Sequence, residues 1–464
     1  MMREARGLRV RWPCTAGIAV LLLLLQAPGY GQPASGPSAP PAALPTLQMP
    51  PLPAGAQSPV PRDRAITVKE AIALALQHQP TLAQADAAAA AAVGRTQQAA
   101  SGLRPSMGLA SQYSRSGPGQ TSAVGGTSSG SAYSASLSAQ QLLYDFRKTR
   151  SRVSQARNLQ ESAHQAFAQT RQDIIAQVKQ AYYLLLQDQR LVAVQQRNVS
   201  DQQAHLALAQ ARFAAGTGPR ADVVKAETAV AEATLNLATA ENAVALSRVN
   251  LNLAMGVDVR TPTLIAEADE PAPQVADQRS LVEIAFSKRP DYRQAEFNLM
   301  AAREAVRIAR TGNRPGLFAQ ADYGLRGTSF PPNDGTWTYG VSLQWPLFDS
   351  GLTSGQVREA GANLRSAEAS LRQAEQTVAS EVTQAFVNLQ TAEQQVTVAK
   401  AEVANAEESL RVATGRYEAG VAIYIEVLDA QRDLLTAQTN EVNSLHNLST
   451  ARAALRRALG MEEG

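Results

Sequence analysis

Apolar residues recur at helical spacing through most of the chain, and two stretches keep them on one narrow stripe. Phe167, Ile174, Val178, Ala181, Leu185 and Val192 are separated by 7, 4, 3, 4 and 7 positions, and Leu371, Val378, Val382, Ala385 and Leu389 repeat the stripe 204 positions later. Residues at this spacing lie on one side of a helix, as in a coiled coil. The pattern predicts two very long helices, each packed along a single seam.

The chain is internally duplicated. Residues 212–216 have the sequence Arg-Phe-Ala-Ala-Gly, and residues 416–420 have Arg-Tyr-Glu-Ala-Gly. The same offset of 204 relates Gly256 to Gly460. Each five-residue segment lies between two long helical patterns, so its glycine is predicted to form the tip of a helical hairpin.

The first helix of each predicted hairpin is exceptionally long. Asp145 and Asp349 each stand 71 positions before the tip glycine and are candidate N-caps. A helix of that length extends about 100 Å at 1.5 Å per residue. The second helix of each hairpin, here called the return helix, has 40 positions and is too short to pack along the whole first helix. We expect the helices at 80–105 and 290–315 to stack end to end with them, with further helices near Val68 and Leu281 forming a belt at the join.

Between these helices the apolar period changes to two, which predicts strands at about 106–115, 131–143, 315–326 and 337–348. Each is roughly ten residues long with one apolar face, as a transmembrane β-strand requires. The alternative is an ordinary half-buried hairpin on a soluble domain. Four strands cannot close a barrel, and an open edge in lipid costs several kcal/mol for each unpaired backbone group. A membrane barrel would therefore be shared among chains arranged around one axis.

Composition divides the rest of the chain. Residues 1–31, with four arginines before an apolar run, are typical of a cleaved signal peptide. Residues 32–66 form a proline-rich extended arm, and 67–256 and 281–460 are two repeats joined by a linker at 257–280. The one cysteine, Cys14, lies in the leader, so no disulfide is expected in the mature chain. Without the leader the chain has 39 basic and 39 acidic residues, which gives no electrostatic reason to bind nucleic acid.

No catalytic or cofactor motif is present in the sequence. His78, His164, His205 and His446 lack metal-ligand spacing, and the sequence contains neither a Gly-x-Ser-x-Gly elbow nor a phosphate-binding loop. We therefore expect no enzyme activity, no cofactor and no metal site.

Three features in combination resemble the TolC-type outer-membrane efflux channels over residues 67–460. They are the paired proline-terminated helices, the Pro-Leu-Phe-Asp-Ser-Gly segment at 346–351, and the two Arg-aromatic-x-x-Gly tips, with Val-Leu-Asp-Ala-Gln following at 427–431. The resemblance implies a mainly α fold with a membrane β-barrel part: a homotrimer that contributes four strands per protomer to a twelve-stranded barrel, with a twelve-helix periplasmic barrel below it. It also implies a passive conduit in the bacterial outer membrane. Its partners would be a periplasmic adaptor and an inner-membrane pump of RND, ABC or MFS type, or a type I secretion system.

Acidic residues just past the second tip are candidate gate residues. Glu426 and Asp429 stand three positions apart and share one helix face. Taken alone, such a pair is usually a solvated surface. The resemblance implies that they form carboxylate rings at a narrow, cation-favouring entrance, and that Asp222 takes part in closing links between helices. Ala422 occupies the position of a basic latch residue in the best-known members, so any latch here is weaker or built differently.

The two tips themselves are candidate docking surfaces. The resemblance implies that the helical hairpin of the adaptor contacts Phe213, Gly216, Tyr417 and Gly420. The alternative is that these residues only form the turns. The rival function is a periplasmic coiled-coil scaffold without a pore. Nothing in the sequence indicates which substrate is exported.

Overall fold

The computed structural model describes residue 60 and the ranges 64–116, 130–268, 270 and 278–461. The expected signal peptide and most of the proline-rich arm lie outside these described residues. The described part forms helices α1 (Val68–His78), α2 (Pro80–Ser101), α3 (Lys148–Ala214), α4 (Arg220–Met255), α5 (Gln278–Lys288), α6 (Pro290–Arg310), α7 (Leu352–Glu418) and α8 (Tyr424–Ala458), and strands β1 (Ser106–Ser116), β2 (Gly130–Tyr144), β3 (Gly316–Gly327) and β4 (Asp334–Gln344).

The two halves have the same order of elements: two short helices, two strands, one long helix and one return helix. The long helices α3 and α7 have 67 residues each. Each packs along its return helix, α3 on α4 and α7 on α8. The expected fold class, mainly helical with a small antiparallel sheet, is confirmed. In the described ranges, no helix combines the length and the apolar character needed to cross a membrane.

The short helices meet end to end against the long ones, as expected. At the first join, Gln79 donates a hydrogen bond of 3.0 Å to the carbonyl of Ala254 at the end of α4. The glycines that follow α4 and α8, Gly256 and Gly460, have positive φ angles of 70° and 66°. At Gly460, a Cβ atom would lie 2.9 Å from the carbonyl carbon of Lys288. The close approach of two backbones at each join therefore requires glycine.

The apolar stripes form the core where α1 and α5 cross the long helices. Ile174, Val178, Tyr182 and Leu185 of α3 are buried with residues of α1 and α4. Val378, Val382, Ala385 and Leu389 of α7 are buried with residues of α5 and α8. The seam predicted from the heptad-like spacing is thus where each repeat buries its apolar side chains.

The four strands form one antiparallel sheet in the order β1-β2-β3-β4. Tyr113 lies opposite Tyr133 in the first hairpin, and Tyr323 lies opposite Trp337 in the second. Strand β4 begins and ends earlier than the expected 337–348. Asp334, which lies before the expected strand, pairs with Arg326, and Pro346 has no N–H group with which to extend the ladder.

One face of this sheet is apolar and open in the single chain. Met107, Leu109, Trp337, Tyr339, Val341 and Leu343 are 62–75% exposed. The opposite face carries Gln112, Ser134, Ser136, Ser138, Gln140, Gln320, Asp322, Thr336, Thr338 and Ser342. An apolar sheet face of this extent needs a covering that the single chain does not supply.

The starts of the long helices differ from our expectation. The N-cap residues are Arg147 and Gly351, both in the left-handed conformation, and not the aspartates. The chain reverses from strand to helix at these residues, which displaces the aspartates upstream. Asp145 still accepts a hydrogen bond of 2.7 Å from the backbone N–H of Thr149, so its carboxylate satisfies a donor of the first turn.

Candidate functional site at the helical tip

The two hairpin tips are built by the same local geometry. Helix α3 ends in a turn in which the N–H of Thr217 donates to the carbonyl of Arg212 at 2.9 Å, and the N–H of Val421 donates in the same way to Arg416 at 3.0 Å. The glycines between them, Gly216 and Gly420, have φ angles of 72° and 76°. Such a helix ending satisfies free carbonyls and needs a left-handed residue, which glycine adopts without strain.

The aromatic residues of the two tips have different environments. Tyr417 is only 4% exposed, whereas its equivalent in the first repeat, Phe213, is 48% exposed. The Tyr417 ring packs against the ring of Tyr424 with centroids 5.5 Å apart, beside Ala209 and Val427. Burial raises the pKa of Tyr424 to about 12. The second tip therefore has a packed interior, and the first presents an apolar side chain to its surroundings.

Residues of the first repeat hold Tyr417 in place. Its hydroxyl donates to the Asp222 carboxylate at 3.3 Å. The guanidinium of Arg212 lies 4.4 Å from the centre of its ring and donates a hydrogen bond to its backbone carbonyl. Burial, reinforced by the nearby negative charge of Asp222, raises the pKa of Tyr417. Asp222 and Arg212 thus join the first tip to the second within one chain.

The two candidate gate carboxylates on α8 lie at its start and are accessible. Glu426 pairs with Arg416 across the turn at 3.1 Å, and Asp429 lies 3.9 Å from Arg432. All four side chains are at least 40% exposed, so these pairs contribute little to folding stability. Glu426 and Asp429 are therefore accessible in the single chain, while Asp222 is engaged with Tyr417.

Sequence reasoning missed the roles of Arg212 and Arg416. Both are the first residue of the duplicated Arg-aromatic-x-x-Gly motif, in which we assigned roles to the aromatic residue and the glycine but none to the arginine. Ala422, which lies between Arg416 and the start of α8, has no basic group. In the structure, Arg416 pairs with the carboxylate of Glu426, and Arg212 lies over the ring of Tyr417. Their presence in both copies was the available signal.

A second polar cluster lies in the belt and was not expected from the sequence. The linker residue Glu270 accepts from Lys179 at 2.8 Å and from the hydroxyl of Tyr183 at 2.6 Å, both on α3. Arg456 of α8 lies 3.2 Å from the same carboxylate. Burial lowers the pKa of Lys179 and raises the pKa of Tyr183. The cluster fastens the linker to both repeats.

The described residues offer no metal centre: no three His, Cys, Asp or Glu side chains among them are grouped closely enough to bind an ion.

Comparison with known proteins gives a consistent result. A family model described as "Outer membrane efflux protein" matches residues 71–257 and 281–461. Protein CyaE of Bordetella pertussis is 29% identical over 424 residues, covering 87% of this chain and 86% of its own length. Outer membrane protein TolC of Escherichia coli is 27% identical over 403 residues, covering 82% of this chain and 79% of its own.

Solved structures show the same fold. The outer-membrane channel OprN superposes with a TM-score of 0.76 at 21% identity, over 94% of this chain and 98% of its own. The outer membrane protein VceC of Vibrio cholerae gives 0.75 at 24% identity, over 85% and 97%.

Proposed function

Because the chain belongs to the outer membrane efflux protein family, we propose that it is the passive, tip-gated conduit of a multi-component efflux or type I secretion assembly. Its place is the outer membrane, as for its relatives TolC and the toluene efflux pump protein TtgC of Pseudomonas putida. Members of the family are channels rather than enzymes. The scaffold alternative is not favoured by these relatives.

One observation carries this function: the sheet has an exposed apolar face, a polar opposite face and two edge strands with one neighbour each. Lipid covers such an apolar face, and a polar face suits a water-filled lumen. The edges of β1 and β4 need further strands, because unpaired backbone groups are costly in a bilayer. Three copies would supply twelve strands and six long helices, which makes a homotrimer the assembly we propose.

The proposed gate lies at the tips, at the far end of the long helices from the sheet. Copies of Glu426 and Asp429 around the axis would place carboxylates at the entrance and favour cations. Asp222, Tyr417 and Arg212 would keep each tip closed, because they join the first hairpin to the second. Ala422 has no basic group that could form a latch. We propose that Arg416, which pairs with Glu426, supplies the cation instead.

The proposed partners meet the same tips. Phe213 is exposed beside Gly216, and Gly420 lies at the equivalent turn, so an adaptor hairpin could pack on these surfaces with Tyr417 supporting them from within. The adaptor would connect the channel to an inner-membrane pump. That pump would be of RND, ABC or MFS type.

A pair of neighbouring substitutions tests the membrane assignment. Val341→Lys places a charge on the apolar face of β4, and Ser342→Lys places the same charge on the polar face. At mid-membrane the first costs about 2–4 kcal/mol per chain. We expect Val341→Lys to abolish urea-resistant membrane association and heat-sensitive oligomers on gels, with Ser342→Lys close to wild type. Equal behaviour of the two variants, or release of the wild type by salt alone, would favour the scaffold.

A further inference from the structure

All four strands join helices at the same end of the sheet, here called the helical end. Strands β1 and β3 begin there at Ser106 and Gly316, and β2 and β4 end there at Tyr144 and Gln344. Gly316 lies opposite Gln344 in the ladder. In the proposed channel, the helical end is therefore where the sheet leaves the membrane on the side of the helices.

Basic residues are concentrated at the helical end. Within six positions of these four strand ends, the connecting segments and helix ends contain six basic residues and two acidic ones. The basic residues are Arg104, Arg147, Lys148, Arg150, Arg310 and Arg314. The chain without its leader has equal numbers of basic and acidic residues, so this positive excess is a local feature.

The two acidic residues do not neutralise the excess, because the starts of the long helices use them. Asp145 accepts a hydrogen bond of 2.7 Å from the N–H of Thr149, and Asp349 accepts one of 2.9 Å from the N–H of Thr353. Five arginines are exposed, and none of them forms an ion pair in the described part of the chain. These five, here called the arginine collar, are Arg104, Arg147, Arg150, Arg310 and Arg314.

The collar borders the apolar face of the sheet. The guanidinium of Arg314 lies 5.6 Å from the centre of the Phe146 ring, and that ring lies 4.9 Å from the ring of Tyr144. Tyr144 is opposite Leu317, and Leu317 is opposite Leu343 on the exposed apolar face. A continuous set of contacts thus leads from the lipid-facing surface of the proposed channel to a cationic group.

Large apolar side chains accompany the collar where β4 ends. Trp345, Leu347 and Phe348 are 57–87% exposed. The indole N–H of Trp345 donates to the carbonyl of Asn313, next to Arg314, at 3.2 Å. Aromatic residues with one polar atom are typical of a membrane–water boundary. An arginine there can lay its aliphatic stem on apolar surface and extend its guanidinium into the headgroup layer.

The internal repeat supplies the collar twice. Arg104 and Arg314 are related by the offset of 210, and each is followed by a proline and then by the first residue of a strand. The segment containing Arg104 is fastened to the sheet, because the side chain of Gln141 donates to the carbonyl of Leu103 at 3.1 Å. The structure therefore presents an arginine at the start of both β1 and β3.

We propose that the arginine collar binds the phosphate groups of anionic phospholipids, in the membrane leaflet at the helical end of the sheet. This proposal rests on the proposed outer-membrane channel and adds a lipid contact to it. A guanidinium binds phosphate oxygens through paired N–H donors and keeps its charge at all physiological pH values. A zwitterionic headgroup presents its phosphate beside its own cation, so it should bind more weakly. Each arginine at an anionic surface contributes about fivefold in affinity.

Native mass spectrometry of the detergent-solubilised full chain tests the collar, with phosphatidylglycerol and phosphatidylethanolamine as probes. We expect the wild type to bind phosphatidylglycerol more tightly. Arg104→Gln/Arg310→Gln should weaken that binding by about 25-fold, fivefold for each charge, and leave phosphatidylethanolamine binding unchanged. Arg197→Gln/Arg220→Gln is the matched control, because Arg197 lies about 70 Å along α3 from the helical end. It should bind both lipids as the wild type does.

Arg104→Lys/Arg310→Lys separates charge from packing. It keeps both cations and should retain most of the phosphatidylglycerol affinity, with helical circular dichroism showing that every variant is folded. A loss as large as in the glutamine variant would assign the effect to packing and overturn the proposal.

Two further results would also overturn the lipid contact. One is a wild type that binds the two lipids equally, or a glutamine variant that binds phosphatidylglycerol as the wild type does. The other is a glutamine variant that loses binding only to purified peptidoglycan or lipopolysaccharide, which would assign the collar to that polymer. Urea extraction of membranes separates this failure from failure of the channel. Only a wild type that urea releases would overturn the proposed function as well.

Discussion

Among the described linker residues, Glu270 makes buried contacts with both repeats. Its carboxylate is 2% exposed and is shared by Lys179, Tyr183 and Arg456. Removing one partner of a buried ion pair leaves the other charge without compensation, which costs about 3–5 kcal/mol. We expect Glu270→Ala to lower the free energy of unfolding by about that amount, measured by the loss of helical circular dichroism in denaturant.

The matched control is Glu267→Ala in the same linker. Glu267 pairs with Arg190 but is 70% exposed, so its removal should cost about 0–1 kcal/mol. Similar losses for the two variants would mean that the Glu270 cluster adds nothing beyond a surface pair.

His446 makes stability depend on pH in a defined direction. Its Nδ1 atom lies 3.2 Å from the carbonyl of Tyr183, to which it donates, and burial lowers its pKa below 6.5, against smaller opposing effects of Tyr183 and Asp188. The unfolded chain therefore binds a proton at His446 more readily than the folded chain does. The contribution is fully present above pH 6.5 and is lost as the pH falls towards the folded pKa.

We expect the thermal midpoint to fall as the pH is lowered below 6.5, and His446→Gln to flatten this change. His164→Gln, at an exposed position on α3, should leave the slope as in the wild type. An unchanged slope in His446→Gln would assign the pH dependence to other groups.

At the scale of elements, the joins between stacked helices are the positions where backbone geometry decides the fold. A Cβ atom on Gly256 would lie 2.8 Å from the carbonyl oxygen of His78, and the residue also has a positive φ. Gly256→Ala should destabilise the protein by about 1–3 kcal/mol, since both strain and a clash must be relieved. Gly361→Ala, near the start of α7 with open space around it, should instead stabilise the protein by up to about 1 kcal/mol. Thermal unfolding measures both, and no loss of stability in Gly256→Ala would contradict the end-to-end stacking.

The elements themselves were largely predictable, because repeated spacing and helix-breaking residues mark them twice. The stripe containing Val178 and Val382 predicted the buried seams, and the tip glycines predicted both reversals. The N-cap assignments of Asp145 and Asp349 failed, because a strand-to-helix reversal places a left-handed residue between the aspartate and the helix. The Glu270 cluster was not predictable, since it joins residues far apart in sequence, and Arg212 acquires its role only when the two tips are packed together.

On the scale of the whole molecule, the sheet and the long helical hairpins both expose surfaces that other copies of the chain would cover. The sheet has one exposed apolar face and two edge strands with one neighbour each, and helix α4 exposes several leucines. A shared barrel continued by a ring of helices would meet these needs at once. The gate residues Glu426 and Asp429 would then lie at the end of the conduit opposite the membrane.

Single-channel conductance of the purified protein in a planar bilayer tests this most directly, with the wild type beside Glu426→Ala/Asp429→Ala. We expect a small, cation-preferring conductance in the wild type, because the proposed carboxylate rings would form a narrow, negatively charged entrance. The double variant should conduct more and lose its cation preference. A protein that inserts but gives the same conductance and selectivity in both forms would contradict the position of the gate. A protein that neither inserts nor conducts would contradict the shared channel itself.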